Sequence, residues 1–244
     1  MGTNMIDFKP VSVKIWGDMA CFTRPEMKVE RVSYPVITPS AARAVLEAIF
    51  WKPEFEWQIL RISVLKPIRY LSILRNEVKS VAVERTARAW EKNNGQGGYF
   101  ADQDRTQRHS LILRDVEYLI DAEVMPYEKE AGNYAKFRDQ FRRRVKRGQC
   151  LRQPYLGCRE FSAYFAEPND SDQPLDISME LGRMLFDLRY IRQGKKRGEA
   201  TPVFFQPELK NGVMHIDSAL YQKIAVPPFT RFHHRYNEEL TDPE

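Results

Sequence analysis

The order in which hydrophobic periodicity changes along this chain limits its possible folds more tightly than anything in its composition. Residues 11–22, VSVKIWGDMACF, alternate apolar and polar side chains from just after Pro10, the two-residue period of a half-buried strand. Thr38-Pro39-Ser40 then offers a hydroxyl cap and a proline for a first helical turn. AARAVLEAIFW (41–51) spaces its apolar residues helically until Lys52-Pro53 ends the run. EFEWQILRISVLKP (54–67) alternates again, and IRYLSILRNEV (68–78) continues the alternation, either as a ribbon with the preceding segment or as one bent strand. Residues 91–108 are polar and Gly-rich, which predicts a mobile loop. HSLILRDVEYLIDAEV (109–124) returns to strand period, residues 133–147 read as a helix, and QPYLGCREFSAYFA (153–166) reads as a further strand.

With the inserted hairpin set aside, the order is strand, helix, strand, strand, helix, strand. It predicts an α+β fold whose main part, residues 1–166, is a ferredoxin-like (RRM-like) βαββαβ domain, an arrangement that RNA-recognition domains use. EPNDSDQPLD (167–176) reads as a linker. Residues 177–244 follow as a small antiparallel β part, with strands over 177–191, 201–209 and 212–217 around the basic turn RQGKKRGE and a loose tail after Pro227-Pro228.

Composition serves mainly to exclude. A 43% hydrophobic content across 244 residues rules out disorder along the whole chain. No apolar run nears the roughly 18–20 residues a membrane helix needs, and the first residues do not read as a signal peptide, so the expectation is a cytoplasmic protein with no membrane partner. Three cysteines, Cys21, Cys150 and Cys158, predict packed thiols rather than a disulfide scaffold. There is no CxxC or HExxH, and His233-His234 has no partners at ligand spacing, so no metal and no cofactor is expected. Nucleophile elbow, P-loop and dinucleotide fingerprint are all absent. Two short carboxylate pairs, Asp102-x-Asp104 and Glu54-x-Glu56, fall on a loop and a strand opening, without the rigid support of a two-metal site.

The charge distribution is the positive signal. The chain nets +5, but eight basic residues between positions 136 and 152 face one acid, Asp139, so that window nets +7 and the remainder −2. The eight are Lys136, Arg138, Arg142, Arg143, Arg144, Lys146, Arg147 and Arg152. Such a strip suits a phosphate backbone, because each neutralised phosphate releases condensed counterions and Arg forks match phosphate geometry. At helical period Tyr134, Phe137, Phe141 and Val145 form one apolar side; Lys136, Gln140, Arg143 and Arg147 share another, and Gly148 ends the helix.

Metal-free RNA cleavage needs a base for the 2′-hydroxyl, an acid for the departing 5′ oxygen and a cation near the phosphorane. The residues that can supply these are Lys136 on the basic helix, His109 at a strand start, and Tyr34. Tyr134 has the right chemistry but falls on the apolar stripe.

Three stretches carry a resemblance beyond these patterns: VKIWGDMACFTRPEMKVERVSYPVITPSAARAVLEAIFWKPEF, DRTQRHSLILRDVEYLI and GQCLRQPYLGCREF. Over about residues 11–165 they resemble the CRISPR-associated Cas-five family of the RAMP superfamily, subtype I-C (the Dvulg or d subtype). The resemblance implies a ferredoxin-like domain with a small antiparallel C-terminal part. It further implies metal-independent endoribonuclease activity on precursor CRISPR RNA within the repeat stem-loop, and continued binding of the 5′ handle beside other Cascade subunits. The family's catalytic set is a Tyr ending the first helix and a Lys-His pair on the second. Here Phe50 stands at the Tyr position, Phe137 at the His position, and only Lys136 carries over. Phenylalanine neither donates nor accepts a proton. Two readings follow, a weakened nuclease or an RNA-binding Cascade subunit without catalysis; duplex DNA binding through the same arginines is a third.

Overall fold

The computed structural model describes residues 10–81, 83–98, 101–127, 133–193 and 196–224. The tail after Pro227-Pro228, His233-His234 and part of the basic turn at 192–199 lie outside them.

Strand β1 (Val11–Ala20) forms because Val11, Val13 and Ile15 all point to one side, where they are fully buried, while Ser12, Lys14 and Trp16 point to the other. A short β2 (Arg31–Val32) leads to helix α1 (Pro39–Ile49). The Thr38 hydroxyl accepts from the Ala41 amide at 3.3 Å, Pro39 starts the first turn, and the extended backbone of Phe50 ends the helix. Strands β3 (Phe55–Val64) and β4 (Tyr70–Val78), helix α2 (Glu84–Lys92) and the 22-residue β5 (Arg105–Pro126) follow. Helix α3 (Tyr134–Lys146) leads through a long loop to β6 (Tyr164–Ala166).

The main sheet runs β3, β5, β1, β6 in space, with β5 antiparallel to both β3 and β1, and β6 antiparallel to β1. This is the split βαβ order expected of a βαββαβ chain. Helices α1 and α3 touch each other and lie on the same side of the sheet.

Segments 54–67 and 68–78 follow the second of their two readings, one bent strand rather than a ribbon: β3 pairs with residues 118–126 of β5 and β4 with residues 105–113, so they are one interrupted partner of a single long strand. At the interruption Asp115 takes φ 51°, and Lys66 reaches its carboxylate at 2.8 Å and that of Glu117 at 3.2 Å. Three other local readings differ from the architecture. The expected loop at 91–108 contains the last turn of α2 and the start of β5. Helix α2 buries no residue, so its sequence carries no apolar stripe at helical spacing.

The strand read over 153–166 contracts to β6. Gly157, at φ 84°, lets the loop close on the Cys21 carbonyl, which a Cβ there would meet at 2.1 Å. The buried Leu156 and Phe161 are therefore loop side chains.

The C-terminal strands are β7 (Met179–Glu180), β8 (Met184–Gln193), β9 (Lys196–Phe205), β10 (Glu208–Leu209) and β11 (Val213–His215), followed by helix α4 (Ala219–Ile224). The division at 167–176 does not divide the core. β11 joins the main sheet beside β3, and Met184, Phe186, Leu209, Met214 and Tyr221 belong to one hydrophobic cluster with β1, β3 and β5. Arg43 of α1 clasps Asp187 of β8 through two 2.9 Å bonds and also pairs with Glu47. The Tyr221 hydroxyl bonds the Ile59 backbone. Residues so far apart in sequence meet because β8 must pack on α1 to cover it.

Candidate nucleic-acid interface

The basic strip sits where α3 meets the C-terminal end of α1. Tyr134, Phe137, Phe141 and Val145 are the buried residues of α3, as their spacing requires. Gly148, at φ 62°, closes the helix; its amide donates to Val145 at 3.1 Å and the Gln149 amide reaches back to Arg144 at 2.9 Å. Arg143, Arg144 and Lys146 occupy the last turn, where the helix dipole favours cations.

The strip divides by role. Arg144 is half-buried, donating to the Ile49 carbonyl at 3.0 Å with its guanidinium 5.5 Å from the Phe50 ring, so it ties the end of α1 to α3. Arg138 pairs with Asp139 at 3.0 Å, and Arg142 donates to the Pro10 carbonyl at 3.2 Å. The backbone amides of Leu151 and Arg152 both bond the Ala48 carbonyl, which brings exposed Arg152 to the same corner. Lys136, Arg143, Lys146 and Arg147 are exposed, and among the described residues none of these four pairs with a carboxylate. Three of them, Lys136, Arg143 and Arg147, share the helical face read from the sequence.

Directly beneath lies an aromatic cluster. Phe55, the first residue of β3, is 5.4 Å from Phe50 and 5.1 Å from Phe137, centroid to centroid. Trp57 stands 5.4 Å from Phe55 and 4.7 Å from Phe141, and its indole N–H donates to the Phe50 carbonyl at 2.9 Å. Phe50 and Phe137 are 1% and 2% exposed. The fold thus brings together the two positions at which the Tyr and His of the resembled family would stand, and fills both with hydrocarbon beside Lys136. The Lys136 ammonium, 6.0 Å from the Phe137 ring centroid, is the one proton-bearing group of that set at this place.

Two of the candidate catalytic residues are elsewhere. Tyr34 is fully buried; its hydroxyl accepts from the Leu185 amide at 3.2 Å, and burial pushes its pKa up, away from what a base near neutrality needs. His109 is exposed on the outer part of β5, opposite Leu74. The end of β5 that faces Phe55, at Pro126, lies roughly 55 Å further along the strand, at ~3.3 Å per residue. Neither can share a reacting phosphate with Lys136. One member of each carboxylate pair is held locally: Asp104 accepts from the Ser80 amide at 2.8 Å and Glu56 from Gln58 at 3.1 Å. Among the described residues no group of three His, Cys, Asp or Glu is placed to hold a metal ion, and no helix is long and apolar enough to cross a membrane.

Of the aromatics in 153–166, Phe161 is core while Tyr155 and Tyr164 are exposed. What the sequence reading missed is Phe55 as the common neighbour of Phe50 and Phe137. Its signal was present in the inward positions 55 and 57 of β3, both aromatic, but nothing local ties a strand start to a helix end.

Comparison with known proteins agrees with this geometry. A family model described as CRISPR-associated protein (Cas_Cas5), of the Cas5d type, matches residues 11–217. The chain is 40% identical over 227 residues to a protein of Thermus thermophilus named CRISPR pre-crRNA endoribonuclease Cas5d, covering 88% of this chain and 94% of that one. It is 45% identical over 232 residues to a Mannheimia succiniciproducens protein of the same name, covering 90% and 95%. A solved structure titled as a CRISPR-associated protein shares the fold with a TM-score of 0.59 at 21% identity, covering 86% of this chain and 93% of the other.

Proposed function

The chain belongs to the CRISPR-associated Cas5d family, and from that premise we propose that it binds the repeat of precursor CRISPR RNA and cuts it without a metal ion. The exposed cations of α3 and its following loop hold the stem-loop backbone. Lys136, at the edge of the aromatic cluster, neutralises the phosphorane that forms as the 2′-oxygen, giving its proton to water, attacks phosphorus and the 5′-oxygen departs with a proton returned by water, leaving a 2′,3′-cyclic phosphate. The observation that carries the reading is the convergence of unpaired Lys136, Arg143 and Arg147 on the corner where the family positions 50 and 137 meet. After the cut the protein stays on the 5′ handle as a subunit of a Cascade assembly.

A second reading has its own observation. Phe50 and Phe137 close over Phe55, so no side chain at either position can move a proton. Losing one general acid or base costs about 100-fold to 10,000-fold in rate. In this reading the chain holds repeat RNA and its neighbouring subunits without cutting.

One experiment separates them. The purified protein is incubated in EDTA with its own repeat RNA, beside Lys136→Ala and beside substrate carrying a 2′-deoxynucleotide at the cut. A single product with a cyclic phosphate end, lost in both controls, is the expected outcome. Tight binding with no product establishes the second reading. Equal competition by unrelated duplex DNA would instead mark nonspecific backbone binding.

A further inference from the structure

A second group of cations lies at the other end of α1. The Arg24 guanidinium sits 4.5 Å from the centre of the Tyr34 ring, and the Tyr34 hydroxyl is fixed by the Leu185 amide. Two residues before Leu185, exposed Arg183 lays its guanidinium 4.1 Å from the centre of the Phe204 ring. Both arginines are close enough to Tyr34 to oppose the rise that burial imposes on its pKa, and Arg24 does the same for Tyr70. Tyr70, the first residue of β4, is 43% exposed. The group therefore comprises two cation–ring pairs, Arg24 on Tyr34 and Arg183 on Phe204, with Tyr70 beside Arg24, drawn from β4, the segments after β1 and β2, and the β8–β9 hairpin.

We propose that Arg24 and Arg183, with the open ring of Tyr70, form a second RNA contact that takes single-stranded RNA flanking the repeat stem-loop. The inference rests on the reading that this chain binds repeat RNA at α3, and deepens it by fixing where the flank goes.

Three features support a single-stranded RNA occupant. Guanidinium groups stacked on rings give up little freedom on binding, and they keep their N–H edges directed outward for phosphate. Planar faces beside those edges match unpaired bases, which stack on aromatic and Arg planes, whereas bases inside a duplex have no free face to offer. The opposing charge is light: Arg24 has Glu26 at 3.9 Å, and among the described residues no carboxylate pairs with Arg183. Tyr34 lies just before the Thr38 cap at the N-terminal end of α1, while α3 grips its C-terminal end. The two contacts thus stand about 16 Å apart along the helix, at 1.5 Å per residue.

The test compares binding of the bare repeat stem-loop with that of the same stem-loop carrying single-stranded flanks, across a salt series. The wild-type protein is expected to bind the flanked RNA about tenfold more tightly. Arg24→Gln with Arg183→Gln removes that gain, leaves the bare stem-loop unchanged, and lowers the salt slope for flanked RNA by about 1.4, at ~0.7 per single-strand phosphate contact. Tyr70→Ser removes part of the gain without changing the slope. Arg143→Gln with Arg147→Gln weakens both RNAs. Arg183→Gln alone, at an exposed position, serves as the variant free of any folding defect. Equal affinity of the wild type for both RNAs, or equal loss on both in the Arg24/Arg183 variant, overturns the second contact while leaving α3 binding intact. Failure of the wild type to bind either RNA overturns both readings.

Discussion

Strands β3 and β4 pair with the same strand, in the same sense, with the same alternation of side chains, yet one is core and the other is not. Along β3 every inward residue from Phe55 to Val64 is buried, whereas no residue of β4 is. The difference is cover. Helix α1 lies over β3, and α3, over β5 and β1, reaches Phe55 and Trp57 with its rings, whereas on β4 only Leu71 and Ile73 pack, part-buried, against the edge of the core. Alternation reports that a segment can be a strand; whether its apolar side is buried depends on elements elsewhere in the chain.

The sharpest way to break this comparison is at Phe55. Phe55→Ala removes the ring on which Phe50 and Phe137 meet, and is expected to destabilise the protein by about 3–5 kcal/mol, read by denaturant unfolding. Asp187→Asn leaves the buried Arg43 charge with a neutral partner and is expected to lower stability by about 2–3 kcal/mol by the same measurement. A stability equal to wild type would mean that Glu47 alone satisfies Arg43. Phe137→His, which supplies the residue that the family resemblance would put at this position, places a polar ring in the aromatic cluster at about 1–2 kcal/mol. Paired with Phe50→Tyr, it should raise the single-turnover cleavage rate on repeat RNA at least tenfold. Smallest is Leu74→Ser, at an exposed position of β4, expected to shift stability by no more than about 0.5 kcal/mol despite removing a large apolar side chain. A loss of several kcal/mol there would show that the face of β4 carrying Leu74 is packed as well as the one carrying Leu71 and Ile73.

Much of this was legible in order and spacing. The alternation of β1 and β3, the Thr38 cap and the buried stripe of α3 are local, so the sequence displays them. The basic strip was visible as charge, but its division into Arg144, which binds the Ile49 carbonyl, and Lys136, Arg143 and Arg147, which face outward, depends on where α1 ends in space. Tyr34 and His109 looked suitable because their chemistry suits the reaction; burial removed one and the length of β5 the other. The Arg43–Asp187 clasp and β11 beside β3 join segments separated by most of the chain, and no window of sequence holds both partners.

The length of β5 has a mechanical consequence. Its 22 residues amount to roughly 70 Å of chain at ~3.3 Å per residue, with Asp115 at φ 51° between an outer part that forms the ribbon with β4 and an inner part at the centre of the main sheet, hydrogen-bonded to β1 on one side and β3 on the other. A pull on the ribbon along its length therefore loads both inner ladders together in shear, and no single bond can be peeled first. Whatever holds the ribbon holds the middle of the protein.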